Sequence, residues 1–365
     1  MTIYFLMTKL IDPSKQRVSG GVISNLRMIE RIAGSTKVVF IPMLTASVPE
    51  SLKASDNLSL DLAGDFGFGR LGYVVERYFK YRHRIKRAIK SHGPGILIST
   101  RATIPVAHQV SLEFGLPLVL VTRAFEDLEQ AGLRAPSKKM TLFRRLEGVL
   151  NRSNIVRAYR DADLVVTNSE YMVKEHRQLF NTESPFHVSY PPMDIPKGKP
   201  TVNEVDTIGF INKGAHKGVD LISALARILP QKTFLIFGTP LELRGSDLSN
   251  VKNIGYMSDR ESMFRSADLF LVPSIWDEPY GRVAAEALWS GRPVVVSKKG
   301  GLPEAAPNEL FWQEGDVPEL WAAKIRCLSE LSRRSEVSAA IESAQQYFES
   351  NKDHLVKKLL KMLPG

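Results

Sequence analysis

The chain has 365 residues, of which 44% are hydrophobic and 24% are charged, as in an ordinary globular protein. This composition excludes a disordered tail, a collagen-like fibre and a multi-span membrane protein, and the length suggests two domains. A single cysteine, Cys327, excludes an intramolecular disulfide and a cysteine-rich metal site. The net charge is +11 over residues 1–200 and −1 over residues 201–365, so the first half is expected to meet an anionic partner: a membrane surface, a nucleic acid or an acidic substrate.

Short apolar runs alternate with amphipathic segments along the first half of the chain. Strands are predicted at Ile3–Met7, Lys37–Pro42, Ile96–Ser99, Leu116–Thr122, Ala162–Thr167 and Val188–Tyr190. Helices are predicted at Val22–Ala33, Tyr73–Lys90, Pro105–Phe114 and 124–160. Residues 44–72 show no clear periodicity and are predicted to be irregular. Strands alternating with helices indicate a parallel sheet wrapped by helices.

The same alternation begins again after the proline- and lysine-rich stretch Pro191–Pro200. Strands are predicted at Asp206–Ile211, Thr233–Gly238, Val251–Tyr256, Asp268–Pro273 and Pro293–Ser297, with helices at Gly218–Ile228, Asp259–Ala267 and Gly281–Trp289. We therefore expect an α/β fold of two Rossmann-like halves joined near residue 195. Because ligands bind beyond the carboxyl ends of parallel strands, the site is expected in a cleft between the two halves.

The strongest chemical signal is the string PSIWDEPYGRVAAEALWSGRP over residues 273–293. Its first glutamate, Glu278, is predicted on the loop after a buried strand, and Glu286 on the helix that follows. The backbone N–H groups near Gly281, Arg282 and Val283 begin this helix, and a helix N-terminus binds anions. Anion-binding amides flanked by two carboxylates that accept hydroxyls suit a sugar joined to a nucleoside diphosphate.

This string resembles the E-x7-E signature of glycosyltransferase family 4, a family of retaining enzymes with the GT-B fold. The resemblance implies that Glu278 contacts hydroxyls of the donor sugar and that Glu286 contacts the nucleotide ribose. It also places Tyr280 and the helix start that follows it at the donor.

Four further segments resemble family motifs in the expected order. Gly20-Gly21 is similar to the glycine loop that faces the donor phosphates, and Lys217-Gly218 to the motif whose lysine binds the diphosphate. Ser297–Glu304 is similar to the loop that lines the donor pocket, and Tyr256-Met257 lies in the turn that commonly meets the base. The resemblance implies a donor site built from all these segments.

The sequence departs from the family pattern at two positions. An arginine often precedes the Lys217-Gly218 motif, and here Lys213 is the candidate replacement. A histidine often ends the strand at 116–122, and here the chain has Arg123. This arginine is expected either to hold an anionic sugar or acceptor or to pair with Glu126 or Asp127. Glu278, Lys217 and Arg123 are thus the candidate catalytic residues.

The family resemblance implies an acceptor-binding domain over residues 1–192 and a nucleotide-sugar-binding domain over 193–345. A C-terminal helix over 346–365 is expected to pack on the first domain. The implied reaction moves a hexose from a UDP- or GDP-sugar to a glycan or lipid-linked acceptor, with retention, with no metal or other cofactor. This activity is typical of polysaccharide, lipopolysaccharide or glycolipid assembly.

Other readings follow from the residues alone. The basic segments Val74–Lys90 and 134–160 fit either binding to an anionic membrane surface or a solvated helix face. The protein is therefore expected in the cytoplasm, either free or on the inner face of the cell membrane.

Asp161-Ala162-Asp163 matches the D-x-D pattern of metal-nucleotide sites, but it is expected to have a structural role. No nucleic-acid-binding motif is recognisable, and no GxGxxG follows a strand with an acid about twenty residues further on, so nucleic acid and NAD are not expected. An epimerase or phosphorylase on the same fold remains an alternative.

Overall fold

The computed structural model describes residues 2–13, 20–53, 55–62, 71–135, 142–202, 204–242, 248–351 and 354–362. The chain divides into two compact units. The first unit is Met1–Tyr190 together with Asp353–Gly365, and the second is Pro191–Lys352. Among the helices in the described ranges, none combines the length and apolar character needed to cross a membrane.

The first unit contains one parallel sheet with helices between its strands. The strands are β1 (Thr2–Leu10), β2 (Lys37–Thr45), β3 (Leu58–Leu60), β4 (Gly95–Ser99), β5 (Leu118–Val121), β6 (Leu164–Thr167) and β7 (Phe186–Val188). The helices are α1 (Gly20–Ala33), α2 (Glu50–Lys53), α3 (Leu71–His92), α4 (Ile104–Phe114), α5 (Glu126–Gln130), α6 (Leu142–Asp161) and α7 (Glu170–Phe180). The strand order is β3-β2-β1-β4-β5-β6-β7, so the direction of winding reverses between β1 and β4.

Among its described residues, the second unit repeats this architecture with six parallel strands. They are β8 (Thr207–Asn212), β9 (Thr233–Gly238), β10 (Val251–Gly255), β11 (Leu269–Val272), β12 (Val294–Ser297) and β13 (Trp312–Gln313). The helices are α8 (Val219–Ile228), α9 (Arg260–Arg265), α10 (Arg282–Trp289), α11 (Leu302–Ala305), α12 (Pro318–Ser329) and α13 (Arg334–Ser350). The order β10-β9-β8-β11-β12-β13 reverses between β8 and β11. The prediction of two Rossmann-like halves is confirmed.

The core of the first unit forms because its strands are apolar on both faces, as parallel strands covered by helices must be. On one face, Phe5 of β1 and Phe40 of β2 meet edge to face with ring centroids 6.1 Å apart. Leu26 and Ile29, spaced three residues apart on α1, pack into the same buried cluster. Each fully buried side chain of this size stabilises the fold by about 2 kcal/mol.

The last helix belongs to this same core. It is α14 (Leu355–Met362), and its Leu355 and Leu359 are buried with the strands of the first unit. The sequence predicted one helix over 346–365. Instead, α13 ends at Ser350 in the second unit, and α14 begins at Leu355.

Two stretches of the first unit differ from the sequence-based expectation. Residues 44–72 were expected to be irregular, but β2 extends to Thr45, α2 follows, and β3 pairs with β2 at the sheet edge. With only three residues, β3 is too short to show a strand period. The helix expected over 124–160 is interrupted after α5, where Gly132 takes a positive φ of 65°. Residues 136–141 of that stretch lie outside the described ranges.

A buried carboxyl group in the first unit couples stability to pH. The Tyr159 hydroxyl donates a hydrogen bond to Asp127 Oδ2 at 2.8 Å. Burial raises the pKa of Asp127 from 3.8 to about 6, because the charged carboxylate loses its hydration there. The folded state therefore binds this proton more tightly than the unfolded state. The free energy of unfolding is expected to decrease as the pH rises from 3.8 to about 6.

The substitution Asp127→Asn removes the ionisable carboxyl group, and with it the free-energy cost of burying a carboxylate. The amide keeps an oxygen that can accept a hydrogen bond from the Tyr159 hydroxyl. We expect the variant to be more stable than the wild type above pH 6 by about 2–3 kcal/mol, with the difference disappearing below the unfolded pKa of 3.8. Urea unfolding of both proteins across this pH range measures the difference in their free energies of unfolding. A difference that is independent of pH contradicts the explanation.

Candidate functional site

The strand-loop-helix segment predicted from the 273–293 string is present in the second unit. Strand β11 ends at Val272, a loop carries Glu278, and α10 begins at Arg282. Gly281, at the N-cap, has a φ of 111°, and a Cβ built there would lie 2.5 Å from Leu302 Cδ2. Only glycine fits this position without moving its neighbours. No side chain caps the helix, so its first N–H groups have no side-chain acceptor at the cap.

The Ser297–Glu304 segment packs directly against this loop. The backbone N–H of Gly301 donates to Glu278 O at 2.7 Å. Gly300 has a φ of 58°, and a Cβ there would lie 2.4 Å from the same carbonyl oxygen. The glycine pair therefore allows close contact between two backbones, and it fixes the loop that carries the first glutamate.

Glu278 is 6% exposed and is held by two partners. Its Oε1 accepts a hydrogen bond from Ser274 Oγ at 2.5 Å and forms an ion pair with the Lys217 ammonium. Lys217 lies in a 3-10 turn, Ala215–Lys217, shortly after β8. Since β8 and β11 are adjacent parallel strands, both residues lie at the carboxyl edge where the winding reverses, which is where such sheets bind ligands.

Gly218 brings the Lys217 turn against the end of β11. Its φ is 84°, and a Cβ there would lie 2.1 Å from Pro273 O. We expect Gly218→Ala to lower the free energy of unfolding by about 2 kcal/mol and to displace Lys217 from Glu278. Gly93→Ala is the matched control, because Gly93 has a φ of 83° with nothing within 4 Å of its Cβ position. Equal losses in urea unfolding for the two variants would show that the close contact plays no part.

Glu286 is 1% exposed, although the sequence-based role requires it to accept ligand hydroxyls. Arg282 donates to Glu286 Oε1 at 2.8 Å, and Arg260 forms an ion pair with Oε2. Arg282 also pairs with Asp194 Oδ2 at 2.8 Å. The carboxylate of Glu286 is therefore bridged by two guanidinium groups. Its predicted contact with ribose stays a prediction.

Four cations gather around these two carboxylates: Lys213, Lys217, Arg260 and Arg282. Lys213 keeps contact with solvent, but burial by surrounding atoms and the other three cations lower the pKa of its ammonium group. Burial, and then the neighbouring Arg282, lower the pKa of Arg260 to about 10. Like charges held this close favour the binding of an anion that relieves their repulsion.

Four of the predicted donor-binding residues lie close in sequence to members of this cluster, but they differ in exposure to solvent. Tyr256, in the turn after β10, is 61% exposed, and Met257 beside it is half-buried. Tyr280 is buried, and burial raises the pKa of its hydroxyl group. The side chain of Val283 is half-buried in the first turn of α10. The ring of Tyr280 thus has little surface to offer a ligand.

Sequence reasoning missed three members of the site: Arg260, Asp194 and Ser274. Arg260 begins a short helix, and Asp194 lies in the proline-rich stretch, so neither is part of a recognisable local pattern. Ser274 lies inside the 273–293 string, four residues before Glu278. A hydroxyl group at the end of a strand, close in sequence to a carboxylate, was the only feature that could have marked it.

The remaining predicted residues lie in the first unit. Gly20 and Gly21 begin α1, the next described element after β1. Arg123 follows β5, and its Nη1 donates to Ser189 O at 2.6 Å. Its predicted ionic partners have other contacts, since Glu126 pairs with Arg101 at 2.5 Å and Asp127 accepts from Tyr159.

The D-x-D segment has structural partners in the first unit. Asp163 Oδ2 accepts from the Leu118 backbone N–H at 2.8 Å, and Asp161 Oδ2 lies 2.8 Å from His108 Nε2. These contacts join the start of β6 to β5 and α4. Within the described ranges, no group of three His, Cys, Asp or Glu side chains could hold a metal ion.

The basic segment Val74–Lys90 lies on α3, and much of its described charge is paired. Arg82 and Lys86 both contact Glu113, and Arg84 pairs with Asp61 at 3.0 Å. Phe79 on the same helix is 66% exposed. The side chains of 71–77 and of 136–151, the latter within the segment 134–160, lie outside the described part.

Comparison with known proteins identifies the family of the second unit. Residues 205–330, which contain Lys213, Lys217, Glu278 and Glu286, match the sequence model for glycosyl transferases group 1. The match covers most of the second unit. The family resemblance inferred from the 273–293 string is confirmed.

Two curated proteins are similar to parts of the chain. A protein in the cps region of Klebsiella pneumoniae is 32% identical over 117 residues, 29% of this chain and 31% of that protein. The D-inositol 3-phosphate glycosyltransferase of Mycolicibacterium smegmatis is 25% identical over 315 residues, 76% of this chain and 69% of that one. The match thus spans less than a third of the first of these relatives.

Solved structures share the fold of the chain at low sequence identity. Alr3699/HepE of Anabaena, solved in complex with UDP and glucose, has a TM-score of 0.67 and 19% identity, covering 98% of this chain and 97% of that one. WaaG, a glycosyltransferase involved in lipopolysaccharide biosynthesis, has a TM-score of 0.66 and 16% identity, covering 100% of both chains. The prediction of a GT-B-type fold is confirmed.

Proposed function

We propose that the chain is a retaining glycosyltransferase that moves a hexose from a UDP- or GDP-sugar to an acceptor hydroxyl. The observation that carries the proposal is the set of four cations around Glu278 and Glu286 at the carboxyl edge of the second sheet. A diphosphate is the anion that matches several cations and an open helix N-terminus. The match to group 1 glycosyl transferases over the same residues supports it.

Each group has a role in this scheme. Lys213, Lys217, Arg282 and the first N–H groups of α10 bind the diphosphate. Lys217 leaves Glu278 when the phosphates arrive, because they carry more negative charge than one carboxylate. This exchange frees Glu278 to accept hydroxyls of the donor sugar, and a shift of the arginines opens Glu286 to the ribose.

The transfer itself is a front-face displacement. The acceptor oxygen forms a bond to the anomeric carbon on the side from which the nucleotide diphosphate leaves, and the bond between that carbon and the phosphate oxygen breaks. The acceptor proton passes to the departing phosphate oxygen. We propose that the four cations, and no metal ion, stabilise the charge that develops on this leaving group.

Donor and acceptor are proposed from the relatives. Alr3699/HepE was solved with UDP and glucose, and the smegmatis relative is a D-inositol 3-phosphate glycosyltransferase. We propose a nucleoside diphosphate hexose as donor and a glycan or lipid-linked acceptor bound by the first unit. The pathway we propose is polysaccharide, lipopolysaccharide or glycolipid assembly, in the cytoplasm.

A thermal-shift panel of UDP-, GDP-, ADP- and dTDP-hexoses on the full chain tests the proposal. We expect one base to raise the melting temperature clearly more than the others. With the preferred donor, NMR of the product should show that the anomeric configuration is kept. An inverted product contradicts the retaining mechanism, and an epimerised nucleotide sugar or a sugar phosphate favours the alternative enzymes on this fold.

We also propose that α3 rests on an anionic membrane surface near a membrane-bound acceptor. The exposed Phe79 and the basic side chains beside it support this, although Arg82 and Lys86 share Glu113. Co-sedimentation with vesicles of phosphatidylcholine, with and without phosphatidylglycerol, is the test. Binding that does not depend on the anionic lipid contradicts it.

A further inference from the structure

A strained arginine lies at the point of the first sheet where the winding reverses. Arg101 follows β4, the neighbour of β1, and it has a φ of 51° although it is not a glycine. The one other such residue in the described ranges is Asn181, an asparagine at a helix C-cap, where this conformation is common. Bulky residues held in this conformation concentrate at ligand-binding segments. Open parallel sheets bind ligands at this same point, so Arg101 marks a candidate subsite.

The turn that carries Arg101 is fixed by buried hydrogen bonds. The Thr103 hydroxyl donates to the Thr100 carbonyl oxygen at 2.8 Å. The Thr100 hydroxyl donates to the Leu6 carbonyl oxygen of β1 at 3.3 Å, which ties the turn to the adjacent strand. The fold therefore holds the backbone of Arg101 in its strained conformation and fixes the point from which the side chain extends.

The guanidinium group of Arg101 pairs with Glu126, which begins α5 after β5. Arg101 Nη2 donates to Glu126 Oε1 at 2.5 Å, and the two side chains are 39% and 41% exposed. The described contacts of the pair use one nitrogen of the guanidinium and one oxygen of the carboxylate, so donors and an acceptor remain for a ligand. Two neighbouring hydroxyl groups of a sugar match such a pair, because one accepts from the guanidinium while the other donates to the carboxylate.

Asn168, which follows the next strand β6, supplies an independent observation. The residue is 6% exposed, and its Oδ1 has no hydrogen-bond partner among the described residues. Buried amide oxygens without a donor are rare, and a bound ligand accounts for one directly. Asn168 Nδ2 donates to the Arg123 carbonyl oxygen at 3.0 Å, and Arg123 precedes Glu126 by three residues. The amide therefore lies at the same edge of the sheet as the ion pair.

The chemistry of this amide oxygen selects the ligand. A carbonyl oxygen needs a proton donor, which a hydroxyl group provides and an ionised carboxylate or phosphate does not. Adjacent strands lie about 4.8 Å apart, so residues that follow β4 and β6 are separated by roughly 10 Å. One sugar ring with hydrogen bonds at both of its ends spans such a distance.

We propose that the first unit binds an uncharged sugar or cyclic polyol at this edge, through Arg101, Glu126 and Asn168. Arg101 donates to one hydroxyl oxygen, Glu126 accepts from the neighbouring hydroxyl, and Asn168 Oδ1 accepts from a third. The identification of this ligand as the acceptor rests on the proposed function, whereas the binding itself does not.

Saturation-transfer NMR of the full chain with glucose, galactose, mannose and myo-inositol tests the proposal. We expect at least one of the four to bind. Arg101→Gln and Glu126→Gln should each weaken its binding about tenfold or more, because each removes a charged partner of a hydroxyl group. Urea unfolding checks that the variants are folded.

Glu113→Gln is the matched control for Glu126→Gln. It removes a similarly exposed carboxylate, which pairs with Arg82 at 2.6 Å at the end of α4, and it should leave the sugar affinity unchanged. Binding of none of the four compounds overturns the proposal. Equal effects of Glu113→Gln and Glu126→Gln overturn it as well.

Two substitutions isolate the role of the Asn168 oxygen. Asn168→Asp and Asn168→Leu both lose the hydrogen bond to the Arg123 carbonyl oxygen, but only aspartate keeps an acceptor oxygen. We expect leucine to lower the sugar affinity about tenfold more than aspartate does. Equal losses mean that the amide acts only through Arg123, and they overturn its contact with the sugar.

Two further comparisons locate the site and test the charge of its ligand. Glu278→Gln should leave sugar binding unchanged, because Glu278 belongs to the second unit. If Glu278→Gln abolishes binding and Glu126→Gln does not, the proposal is wrong. Glucuronate should bind no more tightly than the best neutral sugar, and a tighter glucuronate complex that Arg101→Gln weakens to that level overturns the proposal. Nucleotide binding, measured separately, tests the proposed function, and its failure leaves the sugar result unaffected.

Discussion

Replacing Lys217 with methionine is expected to reduce sugar transfer by about 100- to 1000-fold. In our scheme this ammonium neutralises the phosphate that leaves, and removing one such preorganised donor from a transition state has effects of this size. Methionine keeps the length of the side chain and removes only the charge. Initial rates of donor consumption at saturating donor and acceptor measure the effect, since they report the chemical step.

Two comparisons make this result interpretable. Lys232→Met removes a lysine of the same unit that pairs with Asp206 at 3.5 Å, at the amino ends of β9 and β8, and it should leave the rate unchanged. Lys217→Met also leaves Glu278 with only Ser274 as a partner among its described contacts, so urea unfolding is needed to exclude a loss of folded protein. A folded Lys217→Met protein with a rate close to wild type contradicts the role of this lysine.

The second large effect concerns Glu286, whose substitution by alanine is expected to lower the free energy of unfolding by about 3 kcal/mol. The carboxylate lies between Arg260 and Arg282, which are 29% and 17% exposed in their side chains. Removing the acid leaves the two guanidinium groups close together with less solvent than a surface pair has, and Asp194 remains as a partner of Arg282 alone. Losing one acid from such a partly buried bridge is costly. Urea unfolding at neutral pH measures it.

Glu314→Ala is the matched control for Glu286→Ala. It removes the same side chain from a pair whose glutamate is 73% exposed, so solvent screens the change and little stability is lost. Adding Arg260→Leu to Glu286→Ala should recover part of the lost stability, because the repulsion between Arg260 and Arg282 is then removed. If Glu286→Ala costs no more than Glu314→Ala, the buried bridge does not stabilise the unit.

The sequence predicts the alternation of strands and helices because each element has an apolar pattern of its own. The long runs of the central strands, such as Thr233–Gly238, coincide with the observed element. The edge strands β3 and β13 were not predicted. β3 has three residues and β13 has two, so their pairing depends on the neighbouring strand rather than on an apolar pattern of their own. Tertiary contact decides such short segments.

The site was predicted unevenly for a related reason. Glu278 and Glu286 stand in one continuous string, and Lys217 precedes a glycine whose backbone conformation the turn requires. Arg260 and Asp194 approach Glu286 and Arg282 from distant parts of the chain, so no local spacing marks them. The burial of Glu286 is the main consequence, because the sequence suggested an accessible carboxylate and did not mark Arg260 as its second cationic partner.

The central claim is that the cation cluster of the second unit binds a diphosphate, and a comparison of nucleotides tests it most directly. The measurement is calorimetric titration of the full chain with the preferred nucleoside diphosphate and with its monophosphate, at the same ionic strength. We predict that the diphosphate binds about tenfold or more tightly, because its second phosphate reaches Lys213, Lys217 and Arg282. Equal affinities for the two nucleotides would contradict the claim.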